Sequence, residues 1–220
     1  MTVVYEDNHI IIVSKESGEI VQGDKTGDTP LSETVKQYIK EAYSKPGDVF
    51  LGVVHRLDRP VSGLVLFART SKALPRLNKM FAEGDIHKTY WAIVANTPPQ
   101  PEGTLVHWLV RNEKQNKSYA YDHEVPNSKR AELDYKVIGK SDRYCLVEVV
   151  LKTGRHHQIR CQLAKMRCPI KGDLKYGAKR SNANGSICLH SRRMEFVHPI
   201  SKKEIVVEAP VPNDNLWKSF

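Results

Sequence analysis

The 220-residue sequence is poor in cysteine, with Cys145, Cys161, Cys168 and Cys188 its whole complement. Four thiols so scattered cannot staple a chain of this length, so a reduced, cytoplasmic protein is expected. No run of about 18 apolar residues occurs, which excludes a membrane-spanning helix. The opening MTVVYEDNHIIIV sets Glu6 and Asp7 ahead of its apolar run. It has no basic start, which excludes a secretory signal. Neither GxGxxG nor GxxxxGK[ST] is present, so no dinucleotide or phosphate-loop cofactor is expected. Internal repeats and low-complexity tracts are also missing. Acidic residues are scarce in one place above all: from Lys152 to Lys203, only Asp173 and Glu195 stand against 13 Lys or Arg.

That asymmetry shapes the whole chain. Residues 1–50 carry 5 Lys or Arg and 9 Asp or Glu, while residues 51–220 carry 29 and 16, so the net +9 is a −4 segment followed by a +13 segment. A basic balance of this kind in a non-repetitive composition points to a polyanion, most simply nucleic acid phosphate. With 40% hydrophobic residues, the chain can build one core. A single domain over residues 1–220 is expected, built as one lobe or as two lobes of one sheet. No long apolar helix face is left over, so a monomer is expected.

Hydrophobic periodicity gives the elements. Val3 to Tyr5 and Ile10 to Val13, around Asp7-Asn8, read as a hairpin. Leu31, Val35, Tyr38, Ile39 and Ala42 recur at helical spacing after Asp28-Thr29-Pro30, and Lys45-Pro46-Gly47 closes that helix. Gly63 to Ala68 reads as a buried strand. A helix follows through Phe81, with Ser71 as N-cap, Pro75 in its first turn and Gly84 past its end. Tyr90 to Ala95, Leu105 to Val110, Ala131 to Ile138, Tyr144 to Lys152, Met194 to Val197 and Glu204 to Glu208 read as strands. The polar stretch from Arg111 to Lys129 is a hairpin or a mobile arm. Ile159, Leu163 and Met166 give a third helix with one buried stripe, opened by Arg155, His156, His157 and Arg160. Residues 169–187 are loop-like. Eight or nine strands and three helices joined by short turns predict an α+β fold, a mixed, largely antiparallel sheet with flanking helices.

Two constellations carry chemistry. In VVHRLDRPVSG, His55, Arg56, Asp58 and Arg59 lie between two apolar runs, which puts Asp58 at a strand end with cationic neighbours that keep it ionised. A fixed, ionised carboxylate is a nucleophile or a base. The bland alternative is an exposed loop in which Asp58 pairs with Arg56 or Arg59, an arrangement worth little. In LKTGRHHQIRCQLA, a strand ends at Lys152 and a helix begins after Thr153-Gly154, its cations gathered where a helix already favours anions. Its alternative is a solvated face. Arg160 flanks the buried stripe, which favours a pocket.

HRLDRPVSG, TGRHHQIR followed by QLA, and PIKGDLKYG at residues 169–177 together resemble the RluA-type family of RNA pseudouridine synthases. The similarity runs from VVYEDNHIIIVSK to LHSRRMEFVHP. It implies the pseudouridine synthase catalytic fold and an enzyme that isomerises a uridine in ribosomal or transfer RNA, without cofactor or metal and with no role for DNA or membrane. By the resemblance Asp58 is the nucleophile or base. Arg56 displaces the target base from its stack. Tyr90 stacks on the flipped uracil and serves as acid or base later. Arg160 pairs with the catalytic carboxylate, and Ile159 packs beside the base. His55, Arg59, Arg155 and His157 bind substrate. Two departures stand out: Ser14-Lys15-Glu16-Ser17-Gly18 lacks the proline of the family's Lys-Pro pair, and Val61 replaces a common threonine. The 54 residues before His55 are too few for the small RNA-binding domain of many members, so target choice is expected within the catalytic domain. The arm from Arg111 to Lys129, with Tyr119 and Tyr121 among its lysines, is expected to grip a stem-loop.

Three rival readings compete. A zinc site would need His156 or His157, the cysteines and His190, yet adjacent histidines on a helix point about 100° apart and no CxxC occurs. Buried free cysteines are the better expectation. A non-catalytic RNA-binding module would make Asp58 dispensable. A hydrolase would need a second carboxylate, and Asp173 and Glu195 are candidates for ion pairing instead.

Overall fold

A computed structural model describes residues 1–220. The chain has eleven strands, every described pairing being antiparallel, and three α-helices. None of the helices is long and apolar enough to cross a membrane. Two compact units divide it: Met1–Ile86 with Arg192–Pro210, and His87–Ser191 with Val211–Phe220.

The first unit begins with the hairpin β1 (Thr2–Glu6) and β2 (Ile10–Lys15), then α1 (Leu31–Ala42), β3 (Gly52–Val53), β4 (Ser62–Ala68) and α2 (Ala73–Glu83). Asp7 Oδ1 accepts the backbone N–H of His9 and Ile10, which turns the chain from β1 into β2. β2 pairs along its length with β4, from Ile10 opposite Ala68 to Lys15 opposite Gly63. Every residue of both strands is buried. Strands read as unbroken apolar runs because both of their faces are covered. Ile10, Ile12, Leu64 and Leu66 pack with Ala73 and Leu77 of α2. Each such side chain contributes about 1.5–3 kcal/mol by leaving water.

α1 keeps the expected stripe at Leu31, Val35 and Ile39, whereas Tyr38 is half-buried and Ala42 exposed. α2 corrects one expectation. Ser71 does not cap it; the Thr70 hydroxyl accepts the Ala73 N–H at 3.2 Å, and the Thr70 carbonyl accepts those of Ala73 and Leu74. Thr70 lies two residues past the end of β4, where its hydroxyl and carbonyl oxygens both meet N–H groups of the first turn. Gly84 closes α2 at φ 83°, a left-handed conformation that favours glycine.

The second unit holds β5 (His87–Val94), β6 (Glu102–Asn112), β7 (Lys117–Tyr121), β8 (Lys129–Lys140), β9 (Cys145–Leu151) and α3 (Gln158–Lys165), with a 3-10 turn at Leu174–Tyr176. Its strands run in the order β5-β9-β8-β6-β7, which leaves β7 at an edge. Residues 111–129 are thus built around the β6–β7 hairpin, one of the two forms expected for that stretch. β10 (Leu189–Val197) begins in the second unit and continues into the first, where it pairs with β11 (Glu204–Glu208).

α3 is shorter and deeper than its periodicity implied. Gln158 through Leu163 are all buried, so the helix has no single stripe. It starts at Gln158 because His157 takes φ 53°, which places Arg155, His156 and His157 in the preceding turn. Gln158 Oε1 closes that turn by accepting from the Arg155 N–H and the Thr153 hydroxyl. All four cysteines are buried free thiols, and burial pushes those of Cys161 and Cys168 up to about 11.

Candidate active site

Four of the nine singled-out residues lie in the first unit, on the link between β3 and β4. Where β3 leaves β4, His55 Nε2 accepts the next β4 N–H, that of Leu66, at 2.9 Å. An acceptor nitrogen there fixes the ring as a neutral imidazole with its proton on Nδ1. The ring also stacks on Phe81 of α2, centroids 4.7 Å apart. His55 therefore fastens the segment to the core. Arg56 is exposed, Leu57 is buried and Asp58 half-buried. A tight turn follows, closed by the Val61 N–H donating to the Asp58 carbonyl at 3.0 Å.

Arg59 is tied to the acidic loop ahead of α1. Its guanidinium donates to Asp28 at 2.7 Å and to the Thr26 hydroxyl at 2.9 Å, with Asp24 at 3.6 Å. The bond to Asp28 raises its pKa, and Arg59 in turn helps to lower that of Asp28.

The residue that sequence reasoning passed over is Lys15. It is fully buried at the end of β2, and its ammonium donates to the carbonyls of Glu16 (2.9 Å), Arg59 (3.1 Å) and Val61 (2.6 Å). Three donors meet three acceptors, two of them in the turn that carries Asp58. Burial pushes the ammonium down to about 8, against the opposing pull of Glu19, Asp58 and Glu16. A signal was available: a lysine closing the run IIIVSK has no solvent side to occupy when both faces are covered. The clamp also serves where the family's proline is missing, since the Gly18 N–H donates to the Arg59 carbonyl at 2.8 Å.

The other five lie in the second unit. Tyr90 is buried on β5, opposite Val149 of β9. Ile159 and Arg160 are buried on α3. Arg160 meets Asp173 with two prongs, Nε to Oδ2 at 2.7 Å and Nη2 to Oδ1 at 2.9 Å, and its guanidinium lies 5.1 Å from the Tyr176 ring centre. Such a fork fixes the plane of the guanidinium as well as its position. His157 Nδ1 is 2.9 Å from the Tyr176 hydroxyl, which also accepts the Ser118 N–H at 2.8 Å. Burial raises the Tyr176 pKa well above its ordinary value. His156 stacks on His157 at 3.8 Å and is 2.9 Å from the Ser118 hydroxyl. Arg155 is exposed and its Nε donates to the Arg130 carbonyl.

Asp173 is thus a partner of Arg160, and Glu195 accepts from Arg193 at 2.7 Å. Both candidates for a hydrolase's second carboxylate are engaged in ion pairs. The lone acid in a basic tract was the available sign of Asp173, and PIKGDLKYG contains it together with Tyr176.

In the first unit, a half-buried carboxylate on a clamped turn can act as a base or nucleophile; in the second, a fixed guanidinium beside a buried tyrosine can hold an anion. The model of the RNA pseudouridylate synthase family matches residues 9–165, which hold both constellations. The chain belongs to that family. It is a pseudouridine synthase, an isomerase acting on RNA. It is similar to the tRNA pseudouridine synthase C of Vibrio parahaemolyticus, 30% identical across all of this chain and 93% of that one. The ribosomal large subunit pseudouridine synthase C of Vibrio cholerae is 31% identical, over 95% of this chain and 65% of that one. The solved structure of human RNA pseudouridylate synthase domain containing 4 shares the fold, with a TM-score of 0.80 at 21% identity, covering 96% of this chain and 89% of that one.

Proposed function

We propose that this pseudouridine synthase isomerises a specific uridine in a structured ribosomal or transfer RNA, with Asp58 as its nucleophile or base. The net reaction breaks the bond from ribose C1′ to N1 and forms one from C1′ to C5. The C5 proton leaves and N1 gains one, so no redox partner or external group is consumed. Asp58 serves either by bonding to sugar or base or by taking a proton from the ribose.

The observation that carries this reading is the clamp under Asp58. A buried ammonium grips the carbonyls on either side of Pro60, so the half-buried carboxylate reaches its substrate with little ordering left to do. Exposed Arg56, two residues earlier, displaces the target base in this proposal, because a base inside a stack is out of reach. Tyr90 supplies the ring on which the uracil rests, and Ile159 an apolar wall beside it. Arg160, fixed by Asp173, supplies positive charge for a carboxylate or phosphate. His55 and Arg59 act by holding the Asp58 segment, and Arg155 and His157 by positioning the RNA backbone. The protein works in the cytoplasm as a monomer, its residues 1–220 one catalytic domain, with neither cofactor nor metal.

Pseudouridine mapping tests the reading. Total RNA is compared from cells lacking the protein and from cells complemented with wild type or Asp58→Asn. Loss of one or a few modified positions, restored by wild type and not by the mutant, is the expected result. An unchanged map in cells that express the protein overturns it in favour of RNA binding alone.

A further inference from the structure

The β6–β7 hairpin has two unlike faces. Residues directly opposite across an antiparallel pair point the same way, and successive residues alternate. Leu109 opposite Ala120, and Ala131 on β8, turn toward α3, where they pack with Cys161, Ala164 and Tyr176. Ser118, on the same side, is buried, and Gln162 of α3 donates to the carbonyls of Leu105 and Ala131.

The other face carries Trp108 opposite Tyr121, Val110 opposite Tyr119 and Asn112 opposite Lys117, with Arg130 of β8 on the far side of Trp108. Tyr119 and Tyr121 are exposed, at 38% and 39%. Trp108 and Val110 are half-buried. An outward sheet face with three aromatic rings in a row is costly to leave in water without a use.

Lys117 joins this face to the site. It sits on the edge strand, and its ammonium lies 5.4 Å from the Tyr119 ring centre and 5.3 Å from that of Tyr176. Tyr176 belongs to the Arg160 and Asp173 group, so one cation spans the rim between that group and the aromatic row. A phosphate at the rim would meet Lys117, and the adjoining base would meet the exposed ring of Tyr119.

We propose that Trp108, Tyr119 and Tyr121 form a stacking platform for unpaired nucleotides of the substrate RNA, with Lys117 holding the phosphate where the strand crosses the hairpin edge. This rests on the reading of the chain as an RNA-modifying enzyme and deepens it. The platform takes single-stranded RNA, because a paired base has no open face to stack. It is sequence-tolerant, since every base offers a π-face.

The test uses the full chain and two labelled probes, a 12-nucleotide oligouridylate and an abasic RNA of equal length. Binding is read by fluorescence anisotropy for wild type, Tyr119→Ser/Tyr121→Ser and Tyr119→Phe/Tyr121→Phe. Both tyrosines are exposed, and an unchanged melting temperature confirms folding. The serine variant is expected to bind oligouridylate about tenfold or more weakly. It binds the abasic strand as wild type does, and the phenylalanine variant binds both normally. Equal losses on both probes, or no loss on oligouridylate, overturn the platform. Binding needs no turnover, so this outcome is independent of whether Asp58 is the catalytic group.

Discussion

At the scale of single residues, the site is held by charges that have been taken out of water, and these are its most informative positions. Lys15 in the folded chain loses its proton near pH 8, against an ordinary value of 10.5. Below pH 8 both folded and unfolded chains carry the proton, and the cost of burying it is constant. Between pH 8 and 10.5 the unfolded chain binds the extra proton, so stability rises with pH through that window. The rise is roughly 3 kcal/mol at most. Lys15→Met is expected to lack it, as urea unfolding of both proteins at pH 8 and pH 10 will show. Equal slopes would mean that Lys15 is not the buried cation. Arg160 and Asp173 behave differently, because each is the other's fixed partner. Breaking a buried pair from one side costs about 3 kcal/mol or more. Asp173→Ala is expected to lose that much stability by chemical denaturation, while Glu195→Ala, at the exposed Arg193 pair, is expected to lose under about 1 kcal/mol.

At the scale of elements, most of the architecture was legible and the reasons for the exceptions are local. β2 and β4 announce themselves as apolar runs, and α1 by the spacing of Leu31, Val35 and Ile39. Both constellations fell where a strand gives way to a turn, as HRLD and TGRHH implied. Lys15 was hidden because a lysine inside an apolar strand looks like its polar end. α3 was misjudged in depth because periodicity reports one face, and this helix is covered on more than one by the β6–β7 hairpin and Tyr176. The Arg160 and Asp173 pair joins residues 13 apart through a loop of no regular pattern, so only the scarcity of acids pointed to it. The cap of α2 was placed one residue late, and this has a measurable consequence. Thr70→Ala removes the hydroxyl that accepts the Ala73 N–H and is expected to cost about 1 kcal/mol, whereas Ser71→Ala is expected to cost a few tenths at most. Urea midpoints of the two variants decide between them. A larger loss at Ser71 would restore the serine as the cap.

At the scale of the whole molecule, charge and aromatic rings contribute to RNA binding in ways that can be told apart. Residues 51–220 carry the entire positive excess, +13 against −4 in the first 50. Binding through phosphates releases counterions, and for single strands the logarithm of the affinity falls with that of salt at about 0.7 per phosphate neutralised. Neutralising only three phosphates predicts roughly a tenfold or greater loss between 50 and 200 mM salt. Stacking releases no counterions, so the Tyr119→Ser/Tyr121→Ser variant is expected to give a line parallel to that of wild type and displaced below it. Lys179 and Arg180 are exposed in the basic loop of the second unit and act through charge alone in this account. Lys179→Ala/Arg180→Ala is therefore expected to flatten the slope by about 0.7 for each phosphate that the loop no longer holds, with little displacement at high salt. Salt titrations of oligouridylate binding with the three proteins measure both quantities. Parallel lines for the alanine pair would remove that loop from the RNA path, while a flattened line for the serine pair would show its tyrosines to be acting through neighbouring charge.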